Sequence, residues 1–184
     1  MDINSSSKNK TGILLIGHGS RLPYNKEVVR AIAEKYAKTQ PDYTVEVGFM
    51  ELAQPDIPTA FNKLKETGVD RIIVTPVFLA HGMHTKRDIP TILGLEPADI
   101  QKELEEYEKE NKDYEHEHDH EKEHHHGHAH GHGHGHGHGH GHGHHHHHGE
   151  VETVDFDGEI VYTEPIGADD AIVDIIAERV NPNL

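Results

Sequence analysis

Apolar residues follow two rhythms along this chain. Short, nearly continuous apolar runs at Ile13–Ile16, Thr44–Met50 and Arg71–Phe78 read as strands, and segments of helical period, Tyr24–Lys38 and Ile57–Glu66, separate them. The order β-α-β-α-β is that of an α/β protein with a parallel sheet. In the first helix Val28, Ile32 and Tyr36 recur every fourth residue, which predicts one apolar face against the sheet, and Gln40-Pro41-Asp42 stops the helix. Thr67-Gly68 ends the second helix, glycine being suited to a left-handed cap. After Asp88-Ile89-Pro90 comes a short apolar helix ending near Gly94, then an acidic helix from Pro97 to about Lys112. Glu159–Thr163 predicts a last strand and Ala168–Val180 a last helix, with Ile172, Ile175, Ile176 and Val180 on one face. Short right-handed crossovers then give a mainly parallel four-stranded sheet with helices on both faces and an insertion before the last strand.

The insertion differs in kind from its surroundings. Eleven residues between Glu103 and Glu123 are acidic, and the Gly-His alternation that follows has no side chains able to bury apolar area. Neither part can offset the entropy of ordering it, so the segment is expected to be disordered. The predicted organisation is a flexible N-terminus at residues 1–10, one α/β domain built from 11–114 and 150–184, and a histidine-rich low-complexity loop at 115–149 inserted in it. The remainder of about 150 residues fits a single domain. Although only 33% of the chain is hydrophobic, the polar excess is concentrated in the insertion.

Charge and composition remove several functions. A formal net charge of −16 argues against a nucleic-acid partner, because phosphate backbones need a basic face. No cysteine is present, which excludes disulfides, thiolate metal sites and a cysteine nucleophile, so any metal site must use histidine or carboxylate. No apolar run approaches the roughly 20 residues of a membrane helix, and Met1–Thr11 lacks the apolar segment of a signal peptide. The expectation is a soluble, cytoplasmic protein.

The candidate chemistry lies where strands end. In open α/β sheets ligands bind beyond the carboxyl ends of the strands. Those ends carry His18 to Arg21, Glu51 to Gln54, His81 to His84 and Glu164 to Asp170. Two histidine loops on one rim can hold one metal ion. His18 sits between Gly17 and Gly19, which allow close backbone approach and leave the imidazole unshielded. Gly17-His18-Gly19-Ser20 lacks the lysine of a phosphate-binding loop, and Gly17 stands where a histidine phosphatase has arginine. Imidazole suits zinc, copper, nickel, iron and cobalt alike. Two protein ligands leave coordination positions open, which is wrong for a closed structural site and right for one that receives a metal and passes it on. The alternative is that His81 or His84 only hydrogen-bonds within its loop. Arg21, Lys86 and Arg87 beside these histidines suggest a substrate with carboxylates or phosphates, or else are solvated surface charge. Met50 and Met83 either pack, the default for methionine, or offer soft ligands or a flat apolar surface.

Taken together, Leu15-Ile16-Gly17-His18-Gly19-Ser20-Arg21, Pro76-Val77-Phe78-Leu79-Ala80-His81-Gly82-Met83-His84 and Glu164-Pro165-Ile166-Gly167 resemble the class II tetrapyrrole chelatases. The similarity is to their short archaeal type, the sirohydrochlorin cobaltochelatases that are also nickelochelatases in methanogens. It implies a single chelatase-like (flavodoxin-like) domain that works as a homodimer. The implied reaction inserts cobalt or nickel into sirohydrochlorin with release of two protons, in cobalamin or nickel-tetrapyrrole coenzyme biosynthesis, with no permanently bound cofactor. The family's essential first-loop histidine maps onto His18 and its second onto His84, the pair expected to hold the incoming ion, with His18 also the proton acceptor. Substrate contacts map onto Gln54, where relatives have Glu, and onto Leu79, Ala80, His81, Gly82, Met83 and His84. Glu51 is a candidate to relay protons outward.

Nineteen of the 22 histidines lie between His116 and His148, mostly at every second residue. Such a tract can bind several nickel or cobalt ions at shifting positions, which suits storage or delivery better than catalysis. Its internal position, acidic flanks and interspersed glycines set it apart from a purification tag. The rival functions are therefore a nonenzymatic nickel or cobalt store, and a ferrochelatase making sirohaem with the same site.

Overall fold

The computed structural model describes residues 10–111 and 152–184. The expected flexible N-terminus, Lys10 apart, and the expected disordered loop at 115–149 lie outside the described residues. The chain divides into two compact units, one comprising residues 1–100 and 151–184, the other residues 101–150.

In the first unit, strands β1 (Thr11–Gly17), β2 (Thr44–Phe49), β3 (Arg71–Pro76) and β4 (Glu159–Tyr162) form one wholly parallel sheet in the order β2-β1-β3-β4. Leu15 of the central strand lies opposite Val47 on one side and Thr75 on the other. β1 is buried from Gly12 to Gly17, as a strand covered on both faces must be, which is why it reads as an unbroken apolar run. Alternate residues divide between two cores. On one face Leu14, Ile16, Ile72 and Val74 pack with Ile57, Ala60, Phe61 and Leu64 of α2 (Ile57–Glu66) and with Ile89 of α3 (Ile89–Ile92). On the other, Ile13, Leu15, Val47 and Phe49 pack with Val29 and Ala33 of α1 (Pro23–Thr39). Each fully buried side chain of this size contributes about 1.5–3 kcal/mol. Asp56 caps α2, its carboxylate accepting from the Thr59 N–H at 2.9 Å.

The apolar face expected of α1 is corrected. Val28 is 58% exposed, and Ile32 and Tyr36 are 41% and 39% exposed, while the buried stripe runs one residue further on, through Val29 and Ala33. The helix carries two adjacent apolar stripes, and small Ala33 lets the second approach the sheet. Ile32 and Tyr36 instead border a groove of about 330 Å3 with Ile13, Leu15, Ile73 and Ile166. α5 (Asp170–Val180) departs similarly: Ile172 is half-buried, but Ile175, Ile176 and Val180 are 49%, 55% and 46% exposed. β3 ends at Pro76 rather than Phe78, although the Val77 N–H still reaches the Ile16 carbonyl at 2.8 Å. The residues leading into β4 already pack on this unit. The Val154 N–H donates to the Ile92 carbonyl at 2.8 Å, and Phe156 meets Phe61 edge to face at 5.4 Å.

In the second unit, the described residues belong to α4 (Ile100–Asn111), which starts three residues after the expected Pro97. It buries no side chain and is laced by helix-spaced pairs such as Lys102–Glu106 at 3.8 Å.

Candidate metal centre

The parallel ladder continues past the strand ends and sets the site. The Met50 N–H donates to the Gly17 carbonyl at 3.0 Å and the Glu51 N–H to the His18 carbonyl at 3.1 Å, so the loops leaving β1 and β2 run side by side. Glycine is required on both sides of His18 for that approach. A Cβ at Gly17 would stand 2.8 Å from the Phe49 ring, and one at Gly19, where φ is +90°, would stand 1.7 Å from the Glu51 carbonyl oxygen. These glycines thus let two loops close on each other. The Asn25 side chain holds the Gly19 N–H at 3.0 Å.

Opposite them, the loop after β3 turns into a single π-helical turn, His84–Asp88, in which the Ile89 N–H reaches the His84 carbonyl. Such turns often occur at functional sites. Pro90 has no N–H to give the Lys86 carbonyl, which instead accepts from the Ala98 N–H at 2.9 Å. His84 is thereby brought beside His18, ring centroids 4.9 Å apart at 74°. His18, Glu51 and His84 each offer a ligand atom, all within 4.8 Å of one another. Their side chains are 45%, 47% and 30% exposed, so the cluster opens to solvent.

The ring nitrogens have defined duties. The Gly19 carbonyl can only accept, so His18 Nδ1 donates to it at 3.1 Å and Nε2 keeps the lone pair of the neutral ring. Asp88 holds His84 Nδ1 at 2.8 Å. Burial pushes the Asp88 carboxyl up, but hydrogen bonds from Arg87 and His84, with their charge, outweigh it and hold the group below the usual carboxylate range. An ionised carboxylate also only accepts, so the free nitrogen of His84 is again Nε2.

His81 differs. Its Nε2 meets the Glu164 carboxylate and its Nδ1 the Thr85 hydroxyl at 3.3 Å, so both nitrogens are engaged within the fold. Thr85 is buried, its hydroxyl bonded to both the N–H and the carbonyl of Gly82, and its own carbonyl accepts from the Tyr162 hydroxyl at 2.9 Å. Burial, then the Glu164 charge, pushes that hydroxyl up to about 12, which keeps it a donor. With the Ile166 and Gly167 N–H groups donating to the Phe78 and Leu79 carbonyls at 2.9 Å, these contacts tie the second histidine loop to the exit of β4.

Of the expected substrate-contacting residues, Leu79, Ala80, His81, Gly82 and Met83 are exposed on this rim. Gln54 lines a neighbouring cleft of about 630 Å3 together with Ser20, Arg21, Lys26, Met50 and Glu51. Leu52, also in its wall, has φ of +56°, a left-handed conformation costing about 1–3 kcal/mol in a leucine. Arg87 donates its Nε–H to Asp88 at 2.8 Å. Sequence reasoning gave Glu51 only a relay role and missed it as the third potential ligand. Its place as the first carboxylate beyond β2 was the available signal.

A parallel α/β sheet bearing two imidazoles with free Nε2 atoms and a carboxylate at its carboxyl edge defines a protein able to hold a divalent ion while leaving most of its coordination sphere open. Residues 12–132 match the model of the CbiX family, and the chain belongs to that family. It is 47% identical over 180 residues to a sirohydrochlorin cobaltochelatase of Methanothermobacter thermautotrophicus, covering 98% of this chain and 97% of that protein. A protein of the same name from Methanopyrus kandleri is 47% identical over 94% of this chain and 96% of its own length. The fold is also that of the sirohydrochlorin chelatase SirB from Bacillus subtilis subspecies spizizenii, solved in complex with cobalt: TM-score 0.52, 23% identity, 94% of this chain and half of that one. No helix among the described residues is long and apolar enough to cross a membrane.

Proposed function

We propose that the protein inserts cobalt(II) into sirohydrochlorin in the cytoplasm, the ion and the tetrapyrrole both being substrates. The observation that carries this reading is the meeting of His18, Glu51 and His84 at one rim, in a chain so similar over its whole length to named cobaltochelatases. His18 and His84 would present Nε2 to the ion and Glu51 an oxygen, leaving open positions for the ring nitrogens. Insertion exchanges those protein bonds for four ring nitrogens and releases two pyrrole protons. One imidazole nitrogen cannot bind metal and proton together, so His18 takes a proton only after its bond to the ion breaks. Glu51 is the second acceptor, and the roughly half exposure of both groups lets protons pass to water.

The substrate's carboxylates would enter the cleft beside Glu51, where Arg21 and Lys26 supply positive charge, with Gln54, the exposed 79–83 segment and His84 flanking the ring. Nickel and iron suit the same donors, so metal choice rests on geometry and supply. A homodimer is part of the proposal. The groove bordered by Ile32 and Tyr36, and the outward Val173, Ile175, Ile176 and Val180 of α5, are apolar surface that a second copy would cover.

The test is anaerobic incubation with sirohydrochlorin and, separately, cobalt(II), nickel(II) and iron(II), followed by visible spectra. Conversion faster than the protein-free reaction, with cobalt among the accelerated ions and undiminished at ample metal when residues 115–149 are deleted, is expected. No acceleration by any ion overturns the chelatase reading in favour of metal storage.

A further inference from the structure

We infer that Asp88, itself held by Arg87, is the positioning residue that makes His84 a competent metal ligand. The inference rests on the function proposed above and extends it from the groups that would touch the ion to those that aim them. The two oxygens of Asp88 are divided between separate duties. Oδ1 accepts from Arg87 Nε at 2.8 Å and Oδ2 accepts from His84 Nδ1 at 2.8 Å. The carboxylate is 26% exposed and the imidazole 30%, so the bond between them lies largely out of water, where a charge-assisted contact is strong, while the Arg87 side chain is 51% exposed. Ring position is thereby fixed at one nitrogen, with the ring beside His18, centroids 4.9 Å apart.

Metal-bound histidines commonly donate their second N–H to a carboxylate, which sets the tautomer and raises the basicity of the ligating nitrogen. The local backbone suits this use. His84 and Asp88 are the first and last residues of the π-helical turn, and Ile89 and Pro90 directly after it are fully or nearly buried, so the turn that spaces the pair is anchored in the core. His18 is held differently: its Nδ1 meets its neighbour's carbonyl at 3.1 Å, and the carboxylate nearest to it, Glu51 at 3.8 Å from the same nitrogen, belongs to the cluster itself. The two imidazoles are therefore unequal. His84 is held by a carboxylate outside the cluster, Asp88, and is the better fixed of the two rings.

Two readouts on the full chain test this. In a long-range proton–nitrogen spectrum of histidine-labelled protein, with His84 assigned by its loss in His84→Gln, the metal-free neutral ring should carry its proton on Nδ1. Asp88→Ala should give a tautomer mixture. In steady state, Asp88→Asn should lower kcat/KM for cobalt(II) by about 10–100-fold with KM for sirohydrochlorin unchanged. Asp88→Glu should recover part of that loss, and Arg87→Gln should lose less than Asp88→Asn. A wild-type His84 protonated on Nε2, or an Asp88→Asn enzyme with unaltered kcat/KM for cobalt(II), overturns the inference. Should the wild type show no chelation at all, the chelatase proposal fails, and the tautomer measurement alone decides the role of Asp88.

Discussion

His81 and His84 stand three residues apart on one loop, and each meets a carboxylate, yet the contacts leave them unequal. His81 spends both ring nitrogens, one on Glu164 beyond β4 and one on Thr85 within its own turn. His84 gives Nδ1 to Asp88 and stands in one cluster with His18 and Glu51. Availability for chemistry is thus decided by how many of a histidine's nitrogens the fold consumes. The open question about these two histidines resolves differently for each: hydrogen bonding within the loop describes His81, and a place in the three-residue cluster describes His84.

Substitution separates them most sharply. His84→Ala removes a proposed direct ligand and should depress cobalt chelation by more than the roughly 10–100-fold expected for loss of a supporting partner. His81→Ala should spare most of kcat while lowering the melting temperature and raising KM for the tetrapyrrole, because a partly exposed pair contributes only about 1 kcal/mol or less. Equal losses of kcat in both, measured by the spectral assay at saturating metal, would erase the distinction.

The sheet and its carboxyl rim were legible in the sequence because buried parallel strands are nearly continuous apolar runs, and His18 and His84 follow two of them. What escaped was set by contacts distant in sequence. α1 offers Val28-Ile32-Tyr36 and Val29-Ala33 as rival apolar stripes, and only the sheet chooses between them. Glu51 became a third potential ligand through backbone pairing of its loop with His18, and Arg87, read as a cation for substrate or as solvated surface charge, donates to Asp88.

A smaller effect concerns a carboxylate with no metal business. Asp56 is held below its ordinary value of 3.8 by Thr59, through a side-chain and then a backbone hydrogen bond, against the opposing pull of burial. Because the folded value is depressed, its stabilisation is fully present above the unfolded value and is lost as pH falls through the folded one. Asp56→Ala should cost about 1 kcal/mol at neutral pH, a difference from wild type that shrinks in acid below the unfolded value. Denaturant titrations at several pH values, run beside the same series for Asp88→Ala, would separate a carboxylate that caps a helix from one that aims a ligand.

The most direct measurement is a crystal soaked with cobalt(II), its ion located by anomalous scattering. The account predicts a peak among His18 Nε2, His84 Nε2 and a Glu51 oxygen, at about 2.0–2.2 Å from each, with open positions toward solvent. A peak at His81 and Glu164 with the cluster empty would contradict it.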